Sequence, residues 1–253
     1  MSETEAQIER QPHSLRRFTL NPNPSHSEGH SSAGSFIREL VFGANDGLVS
    51  NVSLVAGVAG ATSDPNTVLL AGIAGIVAGA ISMGLGAYVS TKSEHEFRES
   101  EERRERWEID NMPAEERAEI RQIFQERGIS GPTLDAVVAQ ITKDKDQWVR
   151  TMMRDELGFS GTPPEPVKSG IIMAIAFCIG GAFPVAPFSV IEGNAALAAS
   201  TGATGIALFG VGAWRAKLGA GNVWRKGFEM VGLAAVAVLG AYFLGRLIGV
   251  SIF

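Results

Sequence analysis

One cysteine, two tyrosines and four histidines are all that this 253-residue chain holds of those types. The lone Cys178 excludes an internal disulfide framework, and within its apolar run it reads as a small buried hydrophobe rather than a reactive thiol. Histidine is too scarce for helical di-iron chemistry. Only His95 lies in the charged part of the chain, and no glutamate stands three residues before it to complete a Glu-x-x-His pair. A basic excess is missing too: 22 Lys and Arg face 27 Asp and Glu, a net charge of −5, which leaves no basic patch for nucleic acid. The first 35 residues are polar and rich in Pro, Ser, His and Glu. They lack the apolar stretch of a signal peptide and are expected to form a disordered cytosolic tail in which His26 and His30 are solvated.

What the chain has is apolar length. Five segments reach the roughly 20 mostly apolar residues that span a bilayer: 36–61, 68–89, 169–188, 195–213 and 228–252. The loop at 214–227 carries Arg215, Lys217, Arg225 and Lys226, whereas the turns around Asp64 and Glu192 carry no Lys or Arg. By the positive-inside rule the N-terminus, the charged middle segment and that loop face the cytosol. A prokaryotic plasma membrane and a vacuole-like organelle membrane both fit. The fold class expected is an all-α integral membrane protein: a tail at 1–35, membrane helices one and two at 36–90, a cytosolic helical domain at 91–166 and membrane helices three to five at 167–253.

Residues 92–166 hold 12 Lys and Arg against 18 Asp and Glu, a balance of −6, so the remainder of the chain is nearly neutral. No Gly or Pro interrupts 91–110, so the second membrane helix is expected to project as one rod reaching Asn111, roughly 65 Å at 1.5 Å per residue. Pro113 suits the first position of a new helix that Gly128 ends. Pro132 and Asp144 start two more, the last running to Gly158. Trp107, Ile120, Phe124, Val138, Ile141 and Trp148 are the expected core, and 162–166 is the linker back to the membrane.

The projecting rod carries glutamate on every third residue from Glu96 to Glu108. Like charges on adjacent turns repel and need cations. Arg103, Arg104 and Arg106 supply some, and by itself this ladder reads as a solvated face. Glu116 and Glu119 repeat the spacing on the next helix, and Met152, Met153 and Glu156 follow on the last. Carboxylates suit hard and borderline cations, and thioethers add preference for softer ones, although methionines also fill cores. Within the membrane segments ionisable groups are costly and by default functional. Asp46 is the deepest; Glu39 lies two turns earlier, where pairing with Arg38 at the interface is the other reading. Met83 is the one sulfur of the second span. Gly75 and Gly79 form a small-xxx-small pair that suits a subunit seam or packing within one chain equally well.

The run from Arg38 to Ser50, RELVFGANDGLVS, resembles the first membrane helix of the vacuolar iron transporter family. GAISMGLGAY, from Gly79 to Tyr88, is similar to its second, and Phe183-Pro184-Val185-Ala186-Pro187 to the proline-containing end of its third. The resemblance covers 36–253. It implies five membrane helices per subunit, a homodimer with the pathway at its interface, and a cytosolic metal-binding domain between helices two and three. It further implies proton-coupled export of ferrous iron, often manganese, from the cytosol, with Fe2+, and by extension Mn2+, Co2+ or Zn2+, as bound cargo and no prosthetic group. By motif position Asp46 and Met83 resemble pathway residues, with Glu39 a further acid beside them. Glu105, Glu108, Glu116, Glu119, Met152, Met153 and Glu156 resemble the cytosolic metal ligands. One departure stands out: well-known plant members carry a glutamate where this chain has Gly75. The expected partners are metal ions, protons, the bilayer and a second copy. The chain reads as a transporter rather than an enzyme, the alternative being a membrane-anchored metal-binding or sensing protein, which gains nothing from a buried Asp46.

Overall fold

The computed structural model describes residues 30–159, 161, 163–191, 193–219 and 221–252. Of the tail expected at 1–35, residues 1–29 lie outside the described residues, as does Glu192, and residues 30–35 form the start of α1 instead. Eight α-helices follow in order: α1 His30–Ala61, α2 Pro65–Asn111, α3 Pro113–Glu126, α4 Gly131–Ile141, α5 Lys145–Asp155, α6 Pro166–Val185, α7 Gly193–Leu218 and α8 Val223–Ile252. A 3-10 turn, Ala186–Ser189, continues α6. Among the described residues there is no strand, and α1, α2, α6, α7 and α8 are long and apolar enough to cross a membrane. The protein is a multi-pass, all-helical membrane protein.

α1 is the hub. It packs most extensively on α6 and α8, and α2 packs on α6. Helices separated only by lipid-like side chains gain most from close backbone approach, and α1 achieves it with glycine. A Cβ on Gly47 would stand 2.3 Å from the Phe177 carbonyl oxygen, and one on Gly180 2.2 Å from that of Ala44. Gly79 of α2 also turns toward the same chain: a Cβ there would sit 2.2 Å from the Phe177 ring, so packing within one chain accounts for that member of the small-xxx-small pair. Near the end of α6, Ser200 Oγ of α7 donates to the Pro184 carbonyl at 2.6 Å, tying the two helices through a backbone acceptor that lipid could not serve.

Outward, α2 presents Leu70, Ile73, Val77, Ile81, Leu85 and Val89, and α6 presents Ile171, Ile175, Ile179 and Phe183, all exposed at helical spacing. Cys178 shares the outer face of α6 and is exposed, contrary to the buried position its apolar run suggests; apolar neighbours along a membrane helix do not distinguish the lipid side from the core. α7 is longer at both ends than the apolar reading at 195–213, because Arg215 and Lys217 end a hydrophobic span without ending a helix.

α2 is one continuous helix of 47 residues, about 70 Å long. Asp64 caps its start, accepting from the backbone N–H groups of Asn66 and Thr67 at 3.2 and 3.1 Å. Its apolar part ends near Val89, and the remaining 22 residues or so carry it about 33 Å further. There α3, α4 and α5 gather around a core of Ile109, Ile120, Leu134, Val138, Ile141, Trp148, Val149 and Met152. Pro113 opens α3, Gly128 follows its end at φ +85°, and Asp144 caps α5 through the Gln147 N–H at 2.7 Å. α5 stops at Asp155 rather than Gly158: the Leu157 and Phe159 N–H groups bond back to Met152 and Met153, and Gly158 turns the chain at φ +72°. Phe124 lies at the edge of the core. Trp107 is 58% exposed, outside the core expected for it. It stands two residues, about 200° of helix rotation, from both inward-facing Glu105 and Ile109.

Candidate functional site

Two cavities hold most of the residues singled out by sequence. The first lies within the membrane bundle, about 210 Å³ in volume, with Asp46, Ser50, Asn51, Leu54, Gly75, Ser82 and Met83 among its lining residues. α1 contributes the acid and α2 the thioether, so the two helices face each other across the space. Ser50 Oγ donates to Asp46 Oδ1 at 3.1 Å, one turn along α1. Asp46 also borders a larger cavity of about 780 Å³ that opens beside α7 and α8, where Arg38, Asn45 and Arg215 line it. Asp46 is thus a wall common to an intramembrane chamber and a vestibule on the side of the charged segment. Gly75 lines the chamber itself: a Cβ there would meet Leu54 Cδ2 at 2.4 Å and Asn51 Oδ1 at 3.0 Å. Glu39 is placed elsewhere. It is buried at the α1–α6 contact and accepts a hydrogen bond from Ser169 Oγ.

The second cavity, about 310 Å³, opens where α2, α3 and the end of α5 converge; Glu105, Glu108, Glu116, Glu119 and Glu156 line it together with Glu101, Met112 and Glu115. The helix joint brings them together: α2 ends and α3 begins at Met112, so acids near both ends of the joint point into one space. Glu105 and Glu116 are 4% and 3% exposed, and one carboxylate oxygen of each has no hydrogen-bond partner. Burial, reinforced by Glu156, Glu116, Glu108 and Glu119, pushes the Glu105 carboxyl up to about 7. Burial also pushes Glu116 up to about 7, with Glu119, Glu108, Glu156 and Glu115 adding repulsion. Glu156, at the rim, is raised in turn, first by desolvation and then by Glu119 and Glu108. One cation meets this set directly: Arg104 Nε donates to Glu108 Oε1 at 3.0 Å. Groups held protonated near neutral pH by burial and mutual repulsion gain from any cation that enters. Among the described residues no three His, Cys, Asp or Glu side chains already stand at metal-holding range; mutual repulsion favours side chains that stand apart.

Met152 and Met153, expected beside these carboxylates, are turned toward the hydrophobic core. Met152 is fully buried in it and Met153 packs against it. Trp148, Val149 and Met152 form the buried face of α5, and the thioether of Met152 is drawn onto that face. The thioether on the cavity wall belongs to Met112. Sequence reasoning missed Met112, Glu101 and Glu115; the signal was the joint itself, since any residue flanking a kink between two acidic helices stands at the mouth of the space between them.

The VIT family profile matches residues 37–246. Vacuolar iron transporter 1 of Arabidopsis thaliana is 35% identical over 241 residues, covering 92% of this chain and 96% of that protein. Vacuolar iron transporter 1 of Oryza sativa subsp. japonica is 33% identical over 223 residues, covering 87% and 88%. The vacuolar iron transporter of Toxoplasma gondii is 40% identical over 167 residues, 64% of this chain and 55% of its own length.

Proposed function

Because the chain belongs to the VIT family and is a membrane transporter of metal ions, we propose that it moves divalent transition-metal ions, ferrous iron foremost and manganese, cobalt or zinc with it, out of the cytosol in exchange for protons. The observation that carries this reading is the shared chamber of Asp46 and Met83 between α1 and α2. A carboxylate and a thioether together prefer a borderline cation over magnesium or calcium. In this reading the charged segment, 91–166, is a cytosolic metal-binding domain. Its glutamates 105, 108, 116, 119 and 156 collect the ion, with Met152 and Met153 supporting them from the core. Carboxyls that hold protons near pH 7 release them when the ion binds. Asp46 then takes the ion from the vestibule, and its own protonation on release returns a proton inward. The exposed face of α1, with Phe42, Ser50 and Leu54 around Asp46, is where a second copy completes the path as a homodimer. The membrane is a prokaryotic plasma membrane or that of a vacuole-like organelle.

The test is initial-rate uptake of Fe2+, Mn2+, Co2+ and Zn2+ into proteoliposomes under an imposed pH gradient, with lumenal pH followed at the same time. The expected result is metal entry coupled to proton exit. Metal binding without flux would return the protein to the membrane-anchored sensor reading, and flux without proton movement would remove the exchange.

A further inference from the structure

Asn51 is 1% exposed and lines the intramembrane chamber. Its Nδ2 donates to the Gly47 carbonyl one turn back, at 3.0 Å. A carbonyl only accepts, so this bond fixes which end of the amide is nitrogen. Oδ1 is thereby directed the other way, and it is buried with no hydrogen-bond donor. An unpaired amide oxygen inside a membrane bundle is costly, and buried oxygens of this kind call for a partner. Leu54 packs beside the amide, its Cδ2 2.4 Å from the position a Cβ would take on Gly75. The amide lies between two glycines, with Oδ1 3.0 Å from the position a Cβ would take on Gly75 and Nδ2 2.7 Å from that on Gly181. Gly75 therefore clears the space that the oxygen faces, and the same space is bounded by Asp46 and Met83.

We propose that the Asn51 amide oxygen is a direct ligand of the transported ion, completing with Asp46 and Met83 a carboxylate–amide–thioether set for a divalent transition-metal cation. The inference rests on the transport reading for its cargo. It gives glycine at position 75 a role: a Cβ there would stand 3.0 Å from the amide oxygen. The set then holds one acid and one neutral oxygen, so the ion keeps more of its own charge while bound.

The experiment measures Mn2+ binding to the full chain in lipid nanodiscs by paramagnetic resonance. The background is Glu105→Gln/Glu116→Gln, which weakens binding at the acidic cavity. Uptake by the same proteins in liposomes is followed in parallel. Asn51→Leu removes the oxygen and should weaken Mn2+ about tenfold, the loss of one contact of a polar group to a charge. Asn51→Asp keeps the size and adds charge, and should tighten it by at least as much. If both variants bind as their parent does, the inference is overturned whatever the flux. If wild-type protein binds with this pattern but carries no metal across, the transport reading falls and the ligand assignment stands.

Discussion

Lowering the pH from 8 to 6 should weaken divalent-cation binding at the acidic cavity about 100-fold. Glu105 and Glu116 both titrate at about 7 rather than 4.5, because each is buried among other carboxylates. Each must be ionised to coordinate, so an entering ion displaces whatever proton the group still holds. Two groups at that pKa together hold about 0.2 protons at pH 8 and about 1.8 at pH 6. The affinity ratio between the two conditions is then about tenfold per group, and about 100-fold for the pair. The sign of the stability effect follows from the same shift. A carboxyl raised in the folded state favours folding most when it is protonated in both states, below about pH 4.5, and that contribution drains away as pH climbs through 4.5 toward 7. The metal-free charged segment should therefore lose stability between about pH 4.5 and 7 and level off above that, and bound Mn2+ should restore it. Calorimetry of Mn2+ binding to the full chain in nanodiscs, in buffers of different ionisation heat, reads both the affinity and the protons released. A change below threefold, or the same pH dependence in Glu105→Gln/Glu116→Gln, would refute the reasoning.

Four further outcomes are expected. Asp46→Asn should abolish metal flux while Mn2+ binding at the acidic cavity persists, and Met83→Leu should reduce rate or selectivity without abolishing flux, both read by initial-rate uptake at matched protein levels. Gly79→Leu should destabilise the bundle by about 1–3 kcal/mol through overpacking against Phe177, and adding Phe177→Ala should recover part of the loss; thermal unfolding in detergent showing wild-type stability for Gly79→Leu would return that glycine to a subunit seam. Ile120→Ala, at a fully buried position in the charged segment, should cost about 2–5 kcal/mol and raise protease sensitivity between residues 111 and 159 while the membrane helices stay intact.

The membrane helices and the long rod were legible in the sequence because apolar length and the absence of Gly and Pro are local properties. Helix starts at Pro113 and Asp144 were legible for the same reason, since a cap is decided within four residues. Trp107 and Met152 were misplaced because an aromatic or a thioether suits core and surface alike until the helix's rotational phase is known. For α2 that phase is set by Glu105 and Ile109, and for α5 by Trp148 and Val149. Asp46 and Met83 were found by type and motif, yet their shared chamber depends on how α1 meets α2. Asn51 was opaque for a stronger reason. Its significance lies in glycines at 75 and 181, on two other helices, and no spacing rule connects the three.

The unbroken α2 also acts as a mechanical shaft. Met83 and Glu105 lie on one helix, 22 residues and about 33 Å apart, with no hinge residue between Gly86 and Asn111 to absorb a twist. Halfway along, His95 Nε2 meets the Pro164 carbonyl at 2.9 Å and Arg98 donates to the Gly161 carbonyl at 3.2 Å, clamping the shaft to the strand of chain that leads into α6. A load applied to the cavity wall at Glu105 would fall on the same unbroken helix that lines the chamber at Met83, and the clamp would share it with α6.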